Sequence, residues 1–277
     1  MPKLDQPADE DIGRATPIRL TVSFFLLVFA LSVPFFLFGA ASGAELLPGL
    51  PVAALASVCP MIAALILVWR ESGKAGAAGL LQRSFDFKLI RARIWLIPMI
   101  FLPPSAAALS YGYMRLTGVP IPAPQFFPLM DLALFLVFFA AALGEELGWS
   151  GYALDPMQAR WGALRAALIL GIVWAVWHIV PLIQANRPLN WIAWWFLGTV
   201  AMRVIMVWLY NNSRKSVFAM AVFHAMFNLS WQKFPVQGSF FDPRINAVIM
   251  VFLALAAVLI WEAKTLTRVR FAALAHR

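Results

Sequence analysis

The chain has 277 residues, and its composition excludes most classes of soluble protein. Hydrophobic residues make up 62% of it and charged residues 13%, whereas a soluble domain is near half apolar and about a quarter charged. The mean hydropathy is +0.79. So few charges cannot cover a soluble surface, which excludes a soluble enzyme, a disordered protein and a nucleic-acid binder. The net charge of +9 is typical of basic loops beside a membrane, so we predict a polytopic membrane protein.

Apolar runs long enough to cross a bilayer occur eight times along the chain. A hydrocarbon core about 30 Å thick needs roughly 20 mostly apolar residues per helix. The sequence therefore predicts an all-α, polytopic membrane helical bundle with about eight transmembrane helices. The predicted spans lie near residues 20–39, 52–69, 94–113, 128–149, 164–183, 191–209, 217–232 and 245–262.

The charges of the connecting segments predict the orientation of this bundle. If the N-terminus is cytoplasmic, the segments on that side hold 17 Lys and Arg residues and the opposite loops hold 4, with Arg203 left inside a span. This bias follows the positive-inside rule. We therefore predict that both termini lie in the cytoplasm and that the protein is a multi-pass protein of the cell membrane, in contact with membrane lipid.

We expect one folded domain with a tail at each end. Residues 1–19 are predicted to be a cytoplasmic N-terminal tail, residues 20–262 the transmembrane domain, and residues 263–277 a basic cytoplasmic tail. The basic connection 70–93 has a few apolar residues between its charges and is interpreted as an interfacial helix or elbow.

Six polar residues lie within the predicted membrane spans, where burial of a polar side chain in lipid is energetically unfavourable. An ionisable side chain at bilayer depth costs between about 2.5 and more than 10 kcal/mol, so each is a candidate site residue. Because Glu145 and Glu146 are adjacent, they point about 100° apart on a helix and cannot play the same role. His224 and Asn228 are four residues apart and share one helix face. The six candidates are Glu145, Glu146, His178, Arg203, His224 and Asn228.

Three segments of this region resemble the motifs EExxxR, FxxxH and HxxxN of the CAAX protease and bacteriocin-processing family, and they occur in that order. The segments are Glu145 to Ser150 (EELGWS), Trp174 to His178 (WAVWH) and His224 to Asn228 (HAMFN). The resemblance covers roughly residues 128–232, the motif core of the transmembrane domain.

Two positions depart from the family pattern. Ser150 stands where the family usually has Arg, and Trp174 stands where it usually has Phe. The missing Arg would be the i,i+4 partner of Glu146 rather than of Glu145. Arg203, on the sixth predicted span, is the candidate to replace it.

The resemblance implies an intramembrane glutamic endopeptidase without a metal or another cofactor. By resemblance, Glu145 activates the attacking water and His178 holds it. His224 and Asn228 then donate hydrogen bonds to the oxyanion. The implied substrate is a membrane-tethered or lipidated peptide. The supporting residues are Glu146, Ser150, Trp174 and Arg203.

Three alternatives remain open from the sequence. Gly148-Trp-Ser150-Gly with the HxxxN segment is similar to the motifs of rhomboid serine peptidases, although there HxxxN comes first. Two Glu and two His residues can hold a metal, although no HExxH motif is present. The third alternative is a non-catalytic immunity, scaffold or transport protein with the same fold.

The predicted span edges place the candidate residues at different depths. Glu145 lies near the cytoplasmic end of the fourth span, whereas His178 lies past the middle of the fifth. Either the fourth span is shifted or a helix is displaced. The tryptophans at 191, 194 and 195 are interpreted as an aromatic belt at the outer edge of the sixth span.

Overall fold

A computed structural model describes residues 18–234 and 238–267. The predicted tails, 1–19 and 263–277, lie mostly outside the described residues. The described chain consists of helices, one short hairpin and the loops that connect them, so the predicted all-α membrane bundle is confirmed. The elements are α1 (Ile18–Ser42), β1 (Glu45–Leu47), β2 (Leu50–Pro51), α2 (Cys59–Gln82), α3 (Leu96–Leu116), α4 (Pro128–Gly148), α5 (Leu154–Trp161), α6 (Ala163–Trp177), α7 (Ile179–Gln184), α8 (Leu189–Asn212), α9 (Val217–Lys233) and α10 (Pro243–Ile260).

Seven helical segments among the described residues are long and apolar enough to cross a membrane. Each overlaps one of the predicted spans. The remaining predicted span, 217–232, corresponds to α9, which has 17 residues and begins with a nearly continuous buried stretch, Val217–Ala225. Since α9 packs against α3, α4 and α8, protein rather than lipid surrounds its first half.

The fourth span is longer than the sequence predicts. α4 ends at Gly148, but a π-helical turn, Trp149–Ala153, leads directly into α5. The whole segment Pro128–Trp161 has 34 residues, so Glu145 lies near its middle. The helical segment that carries Glu145 therefore continues well past residue 149, as a shifted fourth span requires.

Two glycines let α4 approach the start of α2 closely. A Cβ atom added to Gly144 would lie 2.7 Å from the carbonyl oxygen of Ser57, and one added to Gly148 would collide with the backbone of Pro60. Small residues four apart are a common way for membrane helices to come together. This contact buries the part of α4 that carries the two carboxylates.

The predicted elbow at 70–93 is a continuation of α2. The helix bends at Gly73, whose φ of 62° is accessible to glycine without strain, and continues to Gln82. A 3₁₀ turn, Arg83–Leu89, then packs against α9. The elbow therefore contacts the helix that carries His224 and Asn228.

Candidate active site

Glu146 lies at the centre of a buried polar cluster. Its side chain is fully buried, and Arg203, also fully buried, donates from Nη1 to Oε2 at 2.9 Å and from Nη2 to Oε1 at 3.2 Å. His224 Nδ1 lies 3.2 Å from Oε1, and Ser150 Oγ donates to Oε2. A bidentate Arg–carboxylate pair fixes both groups geometrically. Glu146 thus has both oxygens occupied by side chains from α8, α9 and its own segment.

Glu145 has a much simpler environment. It is 6% exposed, and Trp174 Nε1 donates to its Oε2 at 2.7 Å. Its other oxygen, Oε1, accepts no hydrogen bond from the described residues. The two adjacent carboxylates therefore have different surroundings, as the 100° offset on the helix predicts. Both oxygens of Glu146 accept hydrogen bonds, whereas only one oxygen of Glu145 does so among the described residues.

His178 occupies the break between α6 and α7. Its Nδ1 donates to the carbonyl oxygen of Trp174 at 2.9 Å, which is the carbonyl one turn earlier. The imidazole lies edge-on to the rings of Trp174 and Trp177, with centroids 5.2 and 4.7 Å away. It also lies within electrostatic range of Glu145 and His224. Because Nδ1 is the donor, Nε2 of the neutral imidazole is left as an acceptor.

His224 and Asn228 lie one turn apart on α9. His224 is 3% exposed, and its ring contacts the indole of Trp174 at 5.3 Å between centroids. Asn228 is half-buried, and its amide makes no hydrogen bond to the described residues. Of the sequence-predicted residues, the structure therefore links all except Asn228 into one network of hydrogen bonds, ring contacts and charges.

Trp174 connects the parts of this network. Besides its bond to Glu145, its ring lies under the guanidinium of Arg203, with Cζ 4.1 Å from the ring centroid. Such a cation–π contact is favourable, particularly when both groups are desolvated. One indole thus contacts the partner of Glu146, the side chain of Glu145 and both histidines.

Two contacts of the site lie outside the sequence predictions. Trp195, assigned by sequence to the aromatic belt, lies half-buried with its ring centroid 5.2 Å from that of His178. Arg83, from the elbow, donates to the carbonyl oxygen of Gly151 at 2.7 Å in the π-helical turn. No spacing rule connects either residue to the motifs, so only the folded chain reveals these contacts.

Within the described residues, no three His, Cys, Asp or Glu side chains form a group that could hold a metal ion. The two carboxylates are instead turned to different partners. Glu146 contacts Arg203, His224 and Ser150, whereas Glu145 contacts Trp174.

The fold and the site together define a class, a multi-pass helical membrane protein with two carboxylates and two histidines buried between its helices. Residues 127–230 match the family model described as "Type II CAAX prenyl endopeptidase Rce1-like". The chain is also 29% identical over 239 residues to CAAX prenyl protease 2 of Methanococcus maripaludis, covering 79% of this chain and 82% of that protein. Both matches agree with the family that the three motifs indicate, and they support an intramembrane protease function.

Proposed function

We propose that this protein is an intramembrane endopeptidase that hydrolyses a peptide bond of a membrane-associated, lipidated substrate, with a water molecule activated by Glu145. The name of the archaeal relative, CAAX prenyl protease 2, makes a prenylated C-terminal peptide the first substrate to test. The reaction needs a base for the water, an acceptor that holds it and donors for the oxyanion.

The observation that carries the proposal is the difference between the two carboxylates. Glu146 has partners on both oxygens, so it has no free position for water. Glu145 is 6% exposed, and its Oε1 accepts no hydrogen bond from the described residues, so this oxygen is free to bind a water molecule. Two carboxylates in different environments commonly divide their roles in hydrolytic enzymes. Glu145 is therefore the base, and Glu146 organises its surroundings.

The proposed steps need only the groups of this site and one water. Glu145 Oε1 takes a proton from the water while Nε2 of His178 accepts its second hydrogen bond, and the water oxygen forms a bond to the scissile carbonyl carbon. The tetrahedral intermediate then collapses, the C–N bond breaks, and Glu145 returns its proton to the leaving nitrogen. The products are a new carboxyl terminus and a free amine.

His224 and Asn228 are the proposed donors to the oxyanion. Nδ1 of His224 faces the Glu146 carboxylate, so Nε2 is the nitrogen available to substrate. With Nδ1 donating, Nε2 can donate to the oxyanion only as imidazolium. Asn228 lies one turn further along α9, and its amide makes no hydrogen bond to the described residues, a geometry that favours joint donation to one oxygen.

Ser150 is less suited to act as a nucleophile. A serine nucleophile needs a hydrogen bond to a base, usually a histidine. Here the Ser150 hydroxyl donates to Glu146, which already pairs with Arg203. This contact favours a structural role for Ser150 and the glutamate mechanism over the rhomboid-like one.

The test is hydrolysis of a fluorogenic peptide, prenylated at a cysteine followed by three residues, by the purified protein in lipid vesicles. We expect Glu145→Gln to lower kcat by at least ~100-fold, because the amide cannot take the proton. His178→Ala and His224→Ala are expected to lose activity similarly, and all three variants should still accumulate in the membrane. The matched control is Glu45→Gln, which changes an exposed carboxylate in β1 and should leave kcat unchanged.

The same assay separates the competing chemistries. We expect Ser150→Ala to keep substantial activity, fluorophosphonates not to label the protein, and chelators not to inhibit it. A fluorophosphonate adduct on Ser150 would assign the protein to the serine class, and activity restored only by Zn²⁺ after chelation would assign it to the metal class. Wild-type turnover by Glu145→Gln would overturn the glutamate mechanism.

A further inference from the structure

The indole N–H of Trp174 is the only hydrogen-bond donor to Glu145 among the described residues. The bond is 2.7 Å long, and Trp174 is 1% exposed, so water cannot easily replace the donor. An indole nitrogen donates and never accepts. The bond therefore holds Oε2 of Glu145 and leaves Oε1 as the oxygen that is open to water.

The indole itself is held from several sides. Arg203 lies over its ring at 4.1 Å from the centroid. The rings of His224 and His178 lie edge-on at 5.3 and 5.2 Å, and the backbone carbonyl of Trp174 receives Nδ1 of His178. A side chain locked in this way can fix the orientation of the group it contacts.

We propose that Trp174 is a positioning residue, whose N–H holds Glu145 in the orientation that presents Oε1 to the attacking water, with Arg203 fixing the indole. This inference rests on the proposed function, since it takes Glu145 as the base. It also explains what the Trp at the Phe position of the FxxxH motif adds, because Phe has an aromatic ring but no hydrogen-bond donor. It also connects the two carboxylates, because Arg203 binds Glu146 and supports the indole that binds Glu145.

The same helix supplies a matched control. Trp177 is also buried on α6, and its Nε1 donates at 2.8 Å to the hydroxyl of Ser32. Its ring lies 4.7 Å from that of His178. Replacement of either tryptophan by Phe therefore removes one buried N–H and keeps an aromatic ring against the histidine. Only the replacement at 174 removes a donor to a carboxylate.

The experiment compares Trp174→Phe and Trp177→Phe in the prenylated-peptide assay, with kcat, KM and the midpoint of thermal unfolding measured for each. We expect Trp174→Phe to lower kcat about ten- to a hundred-fold, the usual effect of one hydrogen bond to a charged group, with KM within about twofold of wild type. Trp177→Phe should keep kcat within about threefold, with a similar fall in the unfolding midpoint. A smaller ring also leaves a void, which a second variant avoids.

In the second variant, 3-benzothienylalanine is incorporated at position 174 by nonsense suppression. It keeps both rings and the contact with Arg203, and it replaces the N–H by sulfur. The same loss of kcat in this variant supports positioning through the hydrogen bond. Wild-type kcat in the benzothienyl variant, or equal losses at 174 and 177, overturns the inference while the proposed function stands, provided that Glu145→Gln is inactive. An active Glu145→Gln overturns the proposed function itself.

Discussion

At the scale of residues, Glu146 and Arg203 form an ion pair that is fully buried on both sides. Such a pair repays its desolvation only with good geometry and further hydrogen bonds, and both are present. Arg203 donates to both oxygens, and Ser150 and His224 complete the coordination of the carboxylate. The countercharge of Glu146 thus comes from Arg203 on α8, whereas Ser150 contributes a hydroxyl.

This geometry predicts the effect of removing the arginine. Arg203→Ala leaves Glu146 buried without its countercharge, and we expect it to lower the free energy of unfolding by about 3–5 kcal/mol. Ser150→Arg alone should also destabilise, because position 150 is 1% exposed and faces a carboxylate that is already paired. The double variant Arg203→Ala/Ser150→Arg removes one guanidinium and adds another beside the same carboxylate.

We therefore expect the double variant to be more stable than Arg203→Ala, although it carries one more substitution. The measurement is unfolding by denaturant in mixed micelles for the wild type, both single variants and the double variant. If the losses of the two single variants simply add in the double variant, an arginine at position 150 does not replace Arg203 as the partner of Glu146.

At the scale of elements, α9 begins at an unusually well-capped N-terminus. Ser216 accepts a hydrogen bond from the Ala219 N–H at 3.1 Å. The Asp86 carboxylate, from the elbow, accepts from the N–H groups of Val217 and Phe218 at 3.0 Å each, and from the Ser216 hydroxyl. A carboxylate at this end also interacts favourably with the helix dipole. The elbow thereby fixes the helix that carries His224 and Asn228.

Substitution of Asp86 should consequently affect both stability and activity. We expect Asp86→Ala to lower the free energy of unfolding by about 1–2 kcal/mol and to lower kcat, whereas Asp86→Asn, which keeps an acceptor, should retain most of both. Asp242→Ala is the control, because Asp242 caps α10 by accepting from the Arg244 N–H at 2.8 Å and α10 carries no proposed site residue. Equal activity in the two alanine variants would mean that the cap does not position α9.

At the scale of the whole molecule, the basic connections lie at one end of the bundle. The N–H groups of Ala163 and Leu164 donate to the backbone of Lys264 and Ala263. Arg83 donates to the carbonyl oxygen of Lys215 at 2.8 Å. The segments near residues 163 and 264 are therefore in direct contact, and so are the segments near residues 83 and 215, as a bundle with one basic face requires.

The 17-to-4 distribution of Lys and Arg predicts that this end faces the cytoplasm. We expect reporter fusions at both termini and near residues 80, 157 and 213 to report a cytoplasmic location, and fusions near 122 and 187 to report the opposite side. A fusion near 157 that reports the opposite side would contradict the predicted orientation. Added Lys residues near 122 are expected to weaken the bias without changing the fold.

The sequence by itself determined the class of protein, the seven long apolar spans and the identity of the charged residues within them. These features depend on hydrophobicity and length, which are local properties of the chain, and the motif spacings are local as well. The offset between Glu145 and Glu146 followed from helix geometry alone.

Only the tertiary structure decided which partner each carboxylate has. Arg203, Trp174 and Glu146 lie on three different helices, and no local rule sets the depth or the rotation of one membrane helix against another. The glycines of α4 allow its close contact with the start of α2, and the π-helical turn continues the helical segment beyond α4. The rotation of the helices against one another places the arginine of α8 beside Glu146 and the indole of α6 beside Glu145. Packing in three dimensions thus brings together side chains that lie far apart in the sequence.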